Sequence, residues 1–171
     1  MTLPVPLHAA LVAVAQRLDD AGVDWVLSGS AGLALAGFAV VPRDLDIEVE
    51  ASDVSAAASA VGLVAARETD ARVSSVRARG AWNGVELDIT GGLEFHGQGG
   101  NLHTDFPLLL MSSTAVDVDG RTVRVAPVEE HIARSIVAGD EARLDRLADC
   151  RPTGYLVNQG YLSSRLASAA L

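Results

Sequence analysis

The chain has 171 residues, 49% of them hydrophobic, with a net charge of −9 and a single cysteine. That is enough apolar sequence for one domain with its own core, and too much for a disordered chain. No apolar run is long enough to span a membrane, and no basic footprint for non-specific nucleic-acid binding is present. The lone Cys150 excludes an internal disulfide, suits a reducing cytoplasm, and reads as a small buried hydrophobe. All 13 basic residues are arginine, so a cationic contact with phosphate falls to arginine or to a protonated histidine.

Residues 7–21 place apolar side chains at helical spacing and stop before Gly22, a capping glycine. Without a basic flank, this stretch reads as an amphipathic helix and not a signal peptide. Residues 23–28, VDWVLS, predict a short buried strand, and residues 30–36 a helix closing at Gly37. Residues 44–50, DLDIEVE, alternate acidic and apolar positions as a strand does. Ser52 or Asp53 can cap a helix reaching Val61. Strands at 72–80 and 85–90 are joined through Asn83-Gly84, a strong hairpin signal. Residues 91–101, GGLEFHGQGGN, read as a glycine-rich loop. A second hairpin turns at Asp119-Gly120, between strands at 115–118 and 122–125. Pro127 opens a helix that ends at Gly139, and helices follow at 141–150 and 155–170. This order predicts an α/β (α+β) fold, a mixed sheet with helices on one side. Residues 1–126 form the sheet-bearing domain, and residues 127–171 a helical segment packed on it as one compact unit.

On a strand, side chains two apart share a face, so Asp44 and Asp46 stand side by side while Leu45 and Ile47 point to the core. Close carboxylates resist joint ionisation, a conflict that a divalent cation removes. Mg²⁺ takes hard oxygen ligands, commonly one or two carboxylates plus substrate phosphates. VELDIT repeats the pattern with Glu86 and Asp88. Paired beside residues 44–50, it would add a third carboxylate, enough for two metals about 3.5–4 Å apart. Upstream, Gly29 permits a sharp turn, and the N–H groups near Ser30 and Ala31 begin a helix, where anions are welcome. Taken singly, a solvated strand face explains the acids better, and an N-cap by Ser28 or Ser30 explains the turn better. Together, in this order, they are far more specific.

The segment GSAGLALAGFAVVPRDLDIEV resembles the nucleotidyltransferase signature of the DNA polymerase beta superfamily. That signature has Gly-Gly or Gly-Ser, a spacer of about ten residues, then Asp-hydrophobic-Asp/Glu-hydrophobic. Its small members include aminoglycoside and lincosamide nucleotidyltransferases and those of toxin–antitoxin pairs. The match covers residues 23–50 and 86–89. The resemblance implies that residues 1–126 are a catalytic domain using Mg²⁺ or Mn²⁺, held by Asp44, Asp46 and Asp88. Asp88 would also accept a proton from the acceptor hydroxyl. Gly29 and Ser30 would hold the phosphates of a nucleoside triphosphate such as ATP. The acceptor would be a small molecule or a partner protein. Glu48 lies a step further along and is expected to be solvated. Relatives often carry an arginine where this chain has Val40, and lysines where it has none. Arg43 either replaces them as a phosphate contact or neutralises the acids. Arg134 and Arg143 are further candidates, although each alone is more simply a solvated helix face. The alternative is a non-catalytic module of the same fold, such as the antitoxin half of a two-protein complex.

Other constellations are weaker. His96 and His103, with Asp105, are too widely spaced for a zinc site. The glycine-rich stretch lacks the order of a dinucleotide fingerprint. Ser74-Ser75 has no recognisable partner for nucleophilic catalysis. Trp25 and Trp82 read as packing residues.

Overall fold

The computed structural model describes residues 3–97 and 100–169. Helix α1 (Val5–Asp20) leads into strand β1 (Trp25–Leu27), helix α2 (Gly29–Leu35) and strand β2 (Asp44–Val49). A 3-10 turn (Ala51–Asp53) precedes helix α3 (Val54–Ala60). Strands β3 (Ala66–Thr69), β4 (Val73–Trp82), β5 (Val85–Gly97) and β6 (Gly100–His103) follow. After helix α4 (Phe106–Ser112) come β7 (Thr114–Val118), β8 (Arg121–Val125), and helices α5 (Val128–Ala138), α6 (Glu141–Asp149) and α7 (Gln159–Ala167).

The strands make one mixed sheet in the order β3-β4-β5-β2-β1-β8-β7, with β6 paired to β5 off that path. Central β2 runs antiparallel to β1 and parallel to β5. The β2–β5 register sets Asp44 beside Glu86, Asp46 beside Asp88 and Glu48 beside Thr90. Leu45, Ile47 and Val49 therefore point the other way. They join Leu87 and Ile89 of β5, Leu11, Val14 and Leu18 of α1, and Val54 and Ala57 of α3 in the main core. Each of the buried valines, leucines and isoleucines contributes about 1.5–3 kcal/mol, which fixes the register: a slip by one residue would put the acids inside.

Helices cover both faces, not one. β1 is buried at all three positions, and a strand apolar on both faces needs a cover on both. On the second face Val26 packs with Phe106 and Leu109 of α4, and Leu102 of β6 packs with Ala133 and Val137 of α5. The expected loop at 91–101 is also corrected. Strand β5 continues to Gly97, and β6 returns with Phe95 opposite Leu102; Gln98 and Gly99 lie outside the described residues. A Cβ at Gly97 would sit 2.0 Å from the Val137 carbonyl oxygen, so a glycine there allows the end of α5 to lie on the ribbon. The last helix starts later than its composition suggests, because the Asn158 side chain accepts from the Tyr161 N–H and sets the first turn. Among the described residues no helix is long and apolar enough to cross a membrane.

Candidate active site

β1 ends at Leu27, and the chain swings through Ser28 and Gly29 into α2. The Ser28 N–H donates to the Asp46 carbonyl at 2.8 Å, which draws this turn across β2. Gly29 has φ +60, and a Cβ there would fall 1.7 Å from Asp46 Oδ2. Backbone and carboxylate are thus in direct contact, and only glycine supplies both the conformation and the space. The Ser30 hydroxyl donates to Asp44 Oδ1 at 3.3 Å. The structure therefore brings Gly29, Ser30, Asp44, Asp46 and Asp88 to one place. Burial, followed by the neighbouring charges of Asp44, Asp88 and Glu48, raises the Asp46 carboxyl from 3.8 to about 6. Arg77 pulls the other way, but too weakly to offset burial and three neighbouring acids, so an ionised carboxylate in that position is under-compensated.

Arg77 was not foreseen. From β4, its Nε donates to Asp88 Oδ1 at 2.7 Å, its Nη2 donates to Oδ2, and Arg79 Nε donates to Oδ2 at 3.4 Å. The hydrogen bond to Asp88, more than any other influence, raises the Arg77 pKa. The signal was in the hairpin: counting back from Asn83-Gly84 pairs Trp82 with Val85 and Arg79 with Asp88. Arg77, two residues before Arg79, then shares the acid face.

Glu48 is not solvated; it is 2% exposed. Strand parity does put it on the acid face, but α5 covers that end of the face. Arg134 of α5 grips it through Nη1 and Nη2, each at 2.7 Å. Arg134 also donates from Nε to Glu130 at 3.0 Å and from Nη2 to Thr104 Oγ1 at 2.9 Å. Glu130 in turn accepts from the Tyr161 hydroxyl at 2.9 Å and from Arg165 Nε at 2.7 Å. Burial opposes ionisation of Glu130, yet Arg134 and Arg165 hold it at about 2. Buried charges persist only when paired and hydrogen-bonded in this way. Arg134 is neither a solvated helix residue nor free to hold phosphate. Arg43 is exposed and lines neither cavity beside the acids. Arg143 is half-buried and does line one of them.

Two cavities flank Asp46 along β2. The larger, about 590 Å³, is lined by Asp44, Asp46, Glu86, Asp88, Arg77 and Arg79 among others. The smaller, about 300 Å³, lies toward α5 and includes Gly29, Asp46, Asp88, His131 and Arg143. His96 and His103 sit on the β5–β6 ribbon, bonded to Asn101 at 3.1 Å and Glu94 at 3.0 Å. Ser74 donates to Glu94 at 3.3 Å, and Trp25 is buried in the core.

The profile of the aminoglycoside-2''-adenylyltransferase family matches residues 10–130, which contain the turn, β2 and β5. The chain belongs to the aminoglycoside-2''-adenylyltransferase family. No curated protein sequence matches it significantly. Among solved structures it resembles TM1012 of Thermotoga maritima, assigned as a nucleotidyltransferase, with a TM-score of 0.72 at 18% identity over 86% of this chain and 94% of that one. It also resembles the antibiotic-resistance factor ANT(2'')-Ia in solution, with a TM-score of 0.51 at 15% identity over 95% of this chain and 83% of that one. A crystal structure of ANT(2'')-Ia with adenylyl-2''-tobramycin gives a TM-score of 0.51 at 11% identity, over 94% and 95% of the two chains. At these identities the likeness is one of fold: the mixed sheet is that of nucleotidyltransferases.

Asp44 and Asp46 offer a donor set suited to a hard divalent cation, with the Asp46 charge only partly offset by Arg77. Asp88, tied to Arg77, completes no three-residue metal cluster among the described residues.

Proposed function

We propose that this protein transfers a nucleoside monophosphate from a nucleoside triphosphate, ATP in the first instance, to a hydroxyl group of a small molecule. The observation that carries this reading is the Gly29 backbone pressed against Asp46, in register with Asp88. Mg²⁺ or Mn²⁺ on Asp44 and Asp46 would neutralise charge on the phosphate oxygens, and with Asp88 recruited a second ion could join. The turn at Gly29 and Ser30 positions the triphosphate. A new bond forms between the acceptor oxygen and the α-phosphorus, the α–β bridging bond breaks, and pyrophosphate leaves with the electron pair. Asp88, released from Arg77, accepts the proton of the acceptor hydroxyl. Most of the rate gain comes from positioning and charge stabilisation. Family membership and the four carboxylates lining the larger cavity support a polycationic aminoglycoside as acceptor. A triphosphate donor and the single cysteine agree with a cytoplasmic location.

One observation favours a second reading, a binding module without catalysis: Arg77 occupies the carboxylate that would serve as base. A single experiment separates the two. The protein is incubated with each triphosphate, Mg²⁺ or Mn²⁺, and a panel of aminoglycosides and other polyols, and both pyrophosphate and the adduct mass are measured. Release by the native protein and none by Asp46→Asn is the expected result. Nucleotide binding without release for any pair would establish the binding module.

A further inference from the structure

We propose that the smaller cavity is the leaving-group pocket, in which Arg143 and the Nε2–H of His131 receive the terminal pyrophosphate, while the acceptor enters through the larger cavity. This rests on the transferase reading above and assigns a direction to it. The two cavities share Asp46, Arg77 and Asp88 and differ in what lies to either side. Toward Asp44 the larger one adds Asp44, Glu86 and Arg79, which leaves it acidic. Toward Glu48 the smaller one adds Glu48, Arg134, Arg143 and His131. Glu48 and Arg134 satisfy each other. That leaves Arg143, near the Asp46 carboxylate but hydrogen-bonded to no carboxylate through its side chain among the described residues, as the cation of the smaller cavity able to take an anion.

His131 supplies the second, independent observation. It is 2% exposed, on α5, one helical turn before Arg134. Arg143 reaches across from α6 and places Nη2 3.2 Å from His131 Nδ1. A guanidinium can only donate, so Nδ1 is the acceptor and the proton of the neutral ring sits on Nε2. Nε2 has no hydrogen-bond partner among the described residues. Burial first, then the charges of Arg143 and Arg134, push the ring down to about 3. The group therefore stays a neutral N–H donor at any working pH. A buried donor without a partner carries a cost that a bound acceptor oxygen removes. Arg143 is in a matching position, because burial and the nearby Arg134 lower its pKa and an anion would offset both. In an in-line displacement the attacking and leaving oxygens lie on opposite sides of the phosphorus. Along β2, Asp44 and Glu48 lie on opposite sides of Asp46, and the pocket that holds Arg143 and His131 is on the Glu48 side, its acids matched by arginines where the larger cavity has an excess of acid.

The test uses inorganic pyrophosphate with Mg²⁺ as the probe and calorimetry on the native protein, Arg143→Gln and His131→Leu. Each substitution should weaken pyrophosphate binding about tenfold or more, the scale of a lost hydrogen bond to a charged group. Glu86→Gln, which alters only the larger cavity, should leave pyrophosphate affinity within about twofold. Nitrogen NMR of the native protein should show His131 protonated at Nε2 alone, with that N–H shifting downfield as pyrophosphate is added. If His131→Leu does not fold, Arg143→Gln and the NMR signature decide. Pyrophosphate bound as tightly by both variants as by the native protein overturns the proposal, as does an Nε2–H resonance that ignores pyrophosphate. Native protein that transfers nucleotide but behaves in this way loses the pocket assignment alone. Native protein that binds neither pyrophosphate nor any triphosphate loses the transferase reading as well.

Discussion

Replacing Asp46 with asparagine in metal-free buffer should stabilise the protein, and only above the pH at which this carboxyl ionises in the unfolded chain. The Asp46 carboxyl titrates near 6 in the folded protein, against 3.8 for an unperturbed aspartate. The folded state thus holds this proton more tightly than the unfolded chain. The destabilisation is absent well below pH 3.8, grows between 3.8 and 6, and is complete above 6. A difference of 2.2 pH units (about 6 minus 3.8) corresponds to about 3 kcal/mol at 1.36 kcal/mol per unit. Asparagine keeps the shape and cannot titrate. For a chain of this length each kcal/mol moves Tm by about 2–4 °C, so Asp46→Asn should melt up to about 6–12 °C above the native protein at pH 8. At pH 4 the gap should nearly vanish. The assay is thermal denaturation followed by circular dichroism in EDTA from pH 4 to 8. Mg²⁺ should then raise the native Tm and close the gap, with little effect on the variant. A gap of the same size at pH 4 and pH 8 would mean that Asp46 carries no uncompensated charge, and the case for a cation there would fail.

Two further outcomes follow from the same geometry. Gly29→Ala must displace the Asp46 carboxylate, because its Cβ would fall 1.7 Å from Oδ2; the positive φ adds about 1–2 kcal/mol. Its Tm should drop and its Mg²⁺ response disappear, and a native Mg²⁺ response would refute the contact. Arg134→Met leaves Glu48 and Glu130 buried without their shared partner, which should cost about 3–5 kcal/mol in urea denaturation. A loss under about 1 kcal/mol would show that water reaches Glu48.

The part of the site governed by local rules was legible in the sequence. Alternation along β2, the glycine at the turn and the Asn83-Gly84 hairpin are short-range signals. They put Asp44 and Asp46 on one face, with Asp88 joining them through the β2–β5 pairing that the family resemblance implies, and the hairpin register, followed two pairs further, yields Arg77 too. What failed was everything set by distant packing. Parity says which face Glu48 is on but not what covers it, and its partner is 86 residues away in sequence. The α5 sequence VEEHIARSIVA looks half-solvated, because a local pattern prices each charged residue as exposed. Glu129, Glu130, His131 and Arg134 are instead all buried. Tyr155, Tyr161 and Arg165 are among their partners, and they come from the segment after α6. The glycines of the β5–β6 ribbon weaken strand propensity and suggest a loop, whereas Gly97 leaves room for the α5 backbone.

The link between Glu48 and Arg134 also bears on how the protein comes into being on the ribosome. Strand β2 is synthesised early and has its neighbours β1 and β5 within the first 97 residues. Its third acid must then wait in water until α5 has emerged, and the Glu130 end of the chain of charges waits longer still, for α7. A nascent chain can therefore assemble the sheet while the cleft remains open on the α5 side. Contacts of such long sequence separation form late and slowly. The two halves of the site thus have different ages: the acid pair on β2 precedes the pocket beside it by the time it takes to translate β6 through α6.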